Sequence, residues 1–418
     1  MGDDRSPVLI VGAGVVGLAL GQALARASIP FRIYERDATL AARGQGWAIT
    51  LHWSLSFLAQ LLPPDALARV EAVQVDPANA PPNDGGQFLF LNLADCAVKF
   101  RIPPSARRWR VNRERMRQAL HEGIEEHVEW GRRVADVRTA AASSSSLLGS
   151  GGETRLVFED GTVSVPGRLV VGVDGSRSTI RKFLAPGAYL NQQLPIRFTG
   201  VAVDMTPEQI KPLRDLDPLL FQGLHPPSRT YMWYSTLETP AVNGTEGSGD
   251  EIYRAQLNMS WPLEKPEDEV AETDEGRLEF MKKRAQNFDP RLRRVWEGIP
   301  EGTEVTEVKL ADWDRVSWDN RGGQVTLTGD AAHAMTMYRG EAANHGLLDA
   351  LLLIRALEKI YGGGAAQKEA VDEYERELRE RTGPAVLLSR QACFDAHTWE
   401  NLTKDCAILK RRAIASLE

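Results

Sequence analysis

Val8-Leu9-Ile10-Val11-Gly12-Ala13-Gly14-Val15-Val16-Gly17 runs from an apolar segment straight into a G-x-G-x-x-G turn, and its reading decides the fold. An Ala/Leu-rich stretch reaching about Ala27 follows, then the apolar run Phe31 to Tyr34. These periodicities predict strand, turn, helix and strand, a βαβ opening. Each glycine has a task in such a turn. Gly12 permits the tight bend, Gly14 lets backbone approach a pyrophosphate, and Gly17 lets the helix pack on the strand. The helix start adds free N–H groups and the positive end of its dipole. Glu35 closes the second strand, where a carboxylate accepts hydrogen bonds from an adenosine ribose and disfavours a 2′-phosphate. Arg36 follows it on the same cofactor side. FAD and NAD satisfy this much equally.

The bulk composition narrows the classes. At 418 residues the chain exceeds the usual size of a single core, so two packed domains are expected. A net charge of -7 argues against a surface that attracts nucleic acid. The basic cluster Arg107, Arg108, Arg110, Arg115 and Arg117 reads as the solvated start of a helix, with Arg113 set apart below. Cys96, Cys393 and Cys406 show no paired spacing for a disulfide framework or a zinc site, so a reducing compartment and no metal are expected. With neither a signal segment nor an apolar run long enough to span a bilayer, the chain reads as cytoplasmic, without a membrane span. Nothing in it sets an oligomeric state.

Further along, Met116, Leu120 and Ile124 recur at helical spacing and predict a helix from about Arg113 to His127. A meander follows, with Asp160-Gly161 as a hairpin turn. Its connection from Ala140 to Gly152 is rich in Ala, Ser and Gly and predicts a mobile surface loop. From about Gln192 to Pro262 the strands alternate and become aromatic, as in an antiparallel sheet. Val325 to Thr328 then returns to the first domain, and long helices follow with breaks at Gly362 to Gly364 and at Gly383-Pro384. The division expected is 1–191 and 311–383 for the nucleotide domain, 192–310 for the second sheet, and 384–418 for a C-terminal helical segment.

Two later motifs choose between the cofactors. Leu169-Val170-Val171-Gly172-Val173-Asp174-Gly175-Ser176-Arg177-Ser178 ends an apolar strand in a carboxylate and backbone N–H groups at the carboxyl edge of the sheet. Val325-Thr326-Leu327-Thr328-Gly329-Asp330-Ala331-Ala332-His333 leads on through Arg339-Gly340-Glu341-Ala342-Ala343-Asn344-His345-Gly346. With the glycine turn, these segments resemble the second and third fingerprints of the flavoprotein monooxygenases related to para-hydroxybenzoate and salicylate hydroxylases, and the resemblance spans nearly the whole chain. It implies an α/β fold: a Rossmann-like FAD-binding domain of the glutathione-reductase type, interleaved with an antiparallel-sheet substrate domain and followed by C-terminal helices. It also implies that Asp174 and Gly175 serve FAD, that Asp330 holds its ribityl or pyrophosphate part, and that the helix after Gly340, Ala342 and Ala343 points at the flavin pyrimidine edge. Arg113, with Met116 and Leu120 behind it, matches the family's flavin-contacting arginine. Arg43 and the run Gly46-Trp47-Ala48 resemble the segment passing beside the flavin. His333 falls where the family uses its residue structurally. Met337 and Ala342 depart from the family's usual Pro and Gly, which puts oxygen reactivity more in question than FAD binding.

On the substrate side, period-two alternation puts Tyr231 and Trp233 on one strand face, Met232 and Tyr234 on the other. Arg197 and Tyr231 are the candidates to act on the substrate, with His52, Trp233 and Tyr234 as binding residues. The resemblance implies that NADH or NADPH transiently reduces FAD and that O2 adds to it as a C4a-hydroperoxide. That species then hydroxylates or epoxidises an electron-rich small molecule, or inserts oxygen in the Baeyer-Villiger sense. Asn344-His345-Gly346 resembles fungal members acting in secondary-metabolite biosynthesis. Two other readings fit parts of the pattern. One is a flavin dehydrogenase or oxidase without oxygen insertion. The other is a non-catalytic protein resembling the GDP-dissociation inhibitors, which the intact Glu35, Arg113, Asp174 and Asp330 argue against.

Overall fold

The strand β1 (Val8–Val11) is buried along its whole length, because it lies at the centre of a parallel sheet. The computed structural model describes residues 6–42, 47–81, 86–103, 107–139, 153–314 and 317–410. Arg43, Gly46 and the Ala140 to Gly152 connection lie outside them. β1 pairs in parallel with β2 (Phe31–Tyr34) and with β10 (Leu169–Gly172). β7 (Val128–Glu129) extends the sheet beyond β2, and β18 (Val325–Leu327) beyond β10. The helix Val15–Arg26 covers one face with Leu18, Leu20 and Leu24, all buried. The long helix Ala342–Tyr361 packs into the same core through Leu347 and Leu351. The glycine turn, Asp174 and Asp330 each follow a strand of this sheet, so all three motifs emerge along its carboxyl edge.

The second sheet has seven strands, ordered β16 (Thr306–Glu307), β12 (Ile196–Met205), β15 (Tyr253–Pro262), β14 (Thr230–Glu238), β13 (Leu220–His225), β4 (Phe88–Asn92) and β5 (Val98–Ile102). It is therefore not confined to 192–310, since β4 joins β13 in parallel and brings β5 with it. The apolar runs at 88–102 are legible, but which sheet they join is set by long-range pairing. On one face Tyr234, Phe221 and Leu257 pack under the helices Asp274–Ala285 and Pro290–Glu297. On the other, Phe90, Phe198, Leu224 and Tyr231 meet Tyr338 and the C-terminal segment.

Between the sheets lies a ribbon of β3 (Ala48–Leu51) and β6 (Trp109–Asn112), with Thr50 opposite Arg110. Leu51, Trp109 and Val111 face the nucleotide-domain core. The alternate residues face the second sheet. Two small pairs complete the strands: β8 (Val134–Thr139) with β9 (Thr154–Phe158), and β11 (Gln192–Gln193) with β17 (Ala311–Asp312).

The helix predicted to run to His127 ends at His121, with a short turn at Glu125–His127 after Gly123. The break expected at Gly383-Pro384 is absent, and one helix runs from Gln367 to Asp395. Proline clashes with the preceding Cβ in a helix, and Gly383 has none. Flanking bonds hold the rest: Arg381 to Asp349 at 2.7 Å, and Ser389 Oγ to the Thr336 carbonyl at 2.7 Å. No helix among the described residues is long and apolar enough to cross a membrane. No group of three or more His, Cys, Asp or Glu among them is arranged to hold a metal ion.

Two predictions come from this packing. A Cβ on Gly17 would lie 2.1 Å from the Gly12 carbonyl oxygen, whereas one on Gly14 would meet nothing within 4 Å. In FAD-free protein, Gly17→Ala is expected to destabilise the chain by about 2 kcal/mol or more, and Gly14→Ala to leave the melting temperature unchanged. Equal melting temperatures would refute the packing argument. Second, buried His397 joins the sheet to the C-terminal helix, with Nε2 2.9 Å from Ser260 Oγ and Nδ1 2.7 Å from the Cys393 carbonyl. Burial pushes its imidazole down to about 4. The unfolded ring takes up its proton near pH ~6.5, so this contribution is complete above that pH and lost as pH falls towards about 4. In urea unfolding over that window, wild type is expected to lose up to about 3 kcal/mol more than His397→Gln. Parallel curves would contradict it.

Candidate functional site

Glu35 is 2% exposed, and its carboxylate grips the turn it faces. Oε2 accepts from the Ala13 N–H at 2.7 Å and Oε1 from the Asp37 N–H at 3.0 Å. The carbonyl of Ala13 accepts in turn from Arg117 Nε at 3.2 Å, and Arg117 is wholly buried beside Glu114. The peptide before Gly14 is thus held from both sides. Gly14 starts the helix Val15–Arg26 with no side chain capping it, so the first-turn amides face open space. Arg36 is exposed immediately after Glu35.

Asp174 turns its carboxylate back on its own loop, accepting from Ser178 Oγ and from the Thr179 N–H at 2.6 Å. Gly175 makes the bend at φ +83°. Asp330 differs. It is exposed at the sheet edge, yet desolvation by the surrounding protein pushes its carboxyl up. His333, Arg113 and Arg181 oppose that rise, and the buried Arg181 guanidinium donates to the Asp330 carbonyl at 3.5 Å. Arg113 opens the helix Arg113–His121, capped by the Asn112 side chain, and its N–H donates to the Trp47 carbonyl at 3.0 Å. His333, buried behind Asp330, bonds Asp349 at 2.6 Å and belongs to the scaffold.

Past Asp330, Met337–Arg339 forms a single turn, Gly340 bends at φ +64°, and the helix Ala342–Tyr361 begins without a side-chain cap. Ala342 and Ala343 are half-buried at its mouth. Asn344, overlooked as a site residue in the sequence, clamps this start to the ribbon. Its Oδ1 accepts from the His52 N–H at 3.0 Å and from Ser54 Oγ at 2.7 Å, and its Nδ2 donates to the Thr50 carbonyl at 2.9 Å. Its place in the third motif was the one available signal.

Several substrate-side expectations change. Arg197 is opposite Trp261, on the helix-covered face of the second sheet, and forms a two-pronged pair with Glu269 at 2.5 and 2.8 Å. It points away from the crevice. Tyr234 shares that face, with its hydroxyl 2.9 Å from Thr236 Oγ1. His52 is 3% exposed and packs edge-on against Trp53, which leaves it almost no surface for a substrate. Tyr231 does face inwards but is buried against Tyr338, and its hydroxyl donates to Gln222 Oε1 at 2.8 Å. Trp233 is on the inner face and partly exposed. The arginines read as solvated are also corrected: Arg108, Arg110 and Arg117 are 3%, 6% and 0% exposed. A charged run says nothing about burial when it leads into a strand between two sheets, as at Arg110, or onto the inner face of a helix, as at Arg117.

A family model described as "FAD binding domain" matches residues 132–387. The chain is 44% identical over 351 residues to the FAD-dependent monooxygenase dbaB of Emericella nidulans, covering 84% of this chain and 86% of that protein. It is 30% identical over 376 residues to the FAD-dependent monooxygenase tazP of Aspergillus terreus, covering 84% and 89%. In fold it is similar to Klebsiella pneumoniae HpxO complexed with FAD and uric acid, with a TM-score of 0.71 at 16% identity over 94% of this chain and 89% of that one. With more than half its length matched to the flavin-binding model and such extended identity to these enzymes, the chain belongs to the FAD-dependent flavoprotein monooxygenases.

Proposed function

We propose that the chain uses FAD, NADH or NADPH, and O2 to insert one oxygen atom into an electron-rich small organic molecule in secondary-metabolite biosynthesis. The observation that carries this is the convergence of three motifs on one crevice: the uncapped helix after Gly14, the Asp174-Gly175 turn, and Asp330 exposed among Arg113 and Arg181. The residues fit a dinucleotide. Nothing stands before Gly14, so a pyrophosphate has room at amides that lack partners. Gly12 and Gly17 keep that turn tight, and Glu35 lies at the strand end where a ribose belongs, with Arg36 beyond it. Arg113, Asp330 and Gly340 lie towards the ring end. The helix start at Ala342 and Ala343 directs its dipole there and stabilises negative charge. Ala48, on the ribbon, and Arg43 and Gly46, just before it, complete the proposed cofactor set. Bound there, FAD supplies hydride acceptance and oxygen activation.

The chain's own task is then positioning and exclusion of water. Residues 1–191 and 311–383 supply the cofactor unit, while 192–310, together with the borrowed β4 and β5, form a lid of substrate-facing sheet. The described C-terminal residues 384–410 back that sheet through Cys393 and Leu402. Trp233, partly exposed on the inner face, is the proposed substrate contact. The monooxygenase relatives favour oxygen insertion over simple dehydrogenation or a binding-protein role. We place the enzyme in the cytoplasm.

Heat-denatured protein is expected to release FAD. Arg113→Met and Asp330→Asn are each expected to weaken FAD retention at least about tenfold, as a charged hydrogen-bonding partner is lost. Unchanged retention in both would remove them from the cofactor set. Turnover under 18O2 is expected to put label into the product. Clean oxidation with stoichiometric peroxide would replace the monooxygenase reading with an oxidase.

A further inference from the structure

A guanidinium that, among the described residues, bonds only neutral hydroxyls lies under the inner face of the second sheet. Arg110 is 6% exposed, and its bonds go to neutral hydroxyls: Nε and Nη2 to Ser235 Oγ at 3.1 and 2.8 Å, and Nη1 to Thr50 Oγ1 at 2.7 Å. Of the other buried arginines, Arg117 pairs with Glu114 at 3.0 Å, Arg339 with Glu341 at 2.6 Å and Arg381 with Asp349 at 2.7 Å, while Arg181 donates to backbone carbonyls and to Asn191 Oδ1 at 2.7 Å. Burial, and after it the nearby Arg108 cation, pushes the Arg110 guanidinium down to about 9. Asp76 borders the same hollow but is held by Arg214 at 2.9 Å. An isolated buried cation is costly to a fold.

Its surroundings are polar and incomplete. Gln222 and Asn258 flank Trp233 across the sheet, and Gln256 is opposite Ser235. Gln222 Nε2, Gln256 Oε1 and Asn258 Oδ1 are buried without a hydrogen-bonding partner. The Tyr231 hydroxyl fixes the other end of the Gln222 amide. The Arg110 guanidinium is 5.7 Å from the centre of the Trp233 ring. Arg110 also belongs to the ribbon that Asn344 ties to the third motif, so it lies between the crevice and the sheet.

We propose that Arg110 is the anion anchor of the substrate site, binding an ionised oxygen, carboxylate or phenolate, on a planar aromatic substrate that lies against Trp233. Gln222, Gln256 and Asn258 meet the substrate's remaining polar groups. This deepens the monooxygenase reading and rests on it for the position of the flavin. Two N–H groups of Arg110 remain after its bonds to Ser235 and Thr50, and an oxyanion takes both. A neutral isostere leaves them unpaired, which is the strongest form of discrimination a polar site has.

The test uses the FAD-loaded enzyme and calorimetric titration, which needs no turnover. Wild type is expected to bind 2-naphthoate at least about tenfold more tightly than 2-naphthamide if the anion is a carboxylate. If it is a phenolate, bound 2-naphthol shows the naphtholate absorption band at neutral pH. Arg110→Met abolishes whichever signature wild type shows, Arg110→Lys keeps part of it, and Arg110→Met retains FAD and melts no lower than wild type, since it relieves a buried charge. Wild type showing neither signature, or Arg110→Met keeping it, overturns the proposal. So does an Arg110→Met protein that loses FAD or melts several degrees lower, since Arg110 would then be part of the scaffold. A chain that never binds FAD yet shows an Arg110-dependent anion preference would defeat the flavin reading and leave the anchor standing.

Discussion

The carboxylate of Asp349 holds together the parts on which the crevice depends. It is wholly buried, and it accepts from the Gly329 N–H at 2.9 Å, from His333 at 2.6 Å and from Arg381 at 2.7 Å. Those partners belong to the turn after β18, the short helix behind Asp330, and the C-terminal helix. The field of the Arg381 cation and the hydrogen bonds from His333 and Arg381 outweigh the cost of burial and hold the carboxyl well below its usual range. One anion thus fixes where Asp330 faces and where the Ala342–Tyr361 helix begins. A buried acid with these partners is specific rather than cheap, because removing either side leaves an uncompensated charge.

From that anchor the ribbon of β3 and β6 carries position across to the second sheet. Asn344 ties the helix start to Thr50, and Arg113 donates to Trp47. The ribbon's alternation means that neighbouring residues serve different bodies: Val111 fills the nucleotide-domain core while Arg110 faces the second sheet. The two domains therefore share a wall, and the position of the flavin-side arginine and that of the proposed anion anchor are not independent.

The second sheet divides its two faces in the same way. Arg197 and Tyr234 belong to the helix-covered side, and Trp233 and Gln222 to the crevice side. The alternation along β14 was legible in the sequence, but not which face meets the flavin, because that depends on the helices Asp274–Ala285 and Pro290–Glu297 covering one side. Likewise Gly383-Pro384 reads as a helix break, and only the bonds of Arg381 and Ser389 to neighbouring elements keep the helix whole.

What the sequence determined by itself was local. Gly12, Gly14 and Gly17 between an apolar strand and an Ala-rich helix dictate a dinucleotide turn, since contacts within a few residues decide whether such a turn closes. The later Asp174 and Asp330 motifs were equally readable, each being a strand end with its own following helix. Tertiary structure alone decided that β4 and β5 join the second sheet, that Asn344 clamps the ribbon, and that Arg110 is buried against the Ser235 and Thr50 hydroxyls. Those are properties of pairs far apart in the chain, such as Arg110 with Ser235, and neither composition nor periodicity encodes the partner's identity.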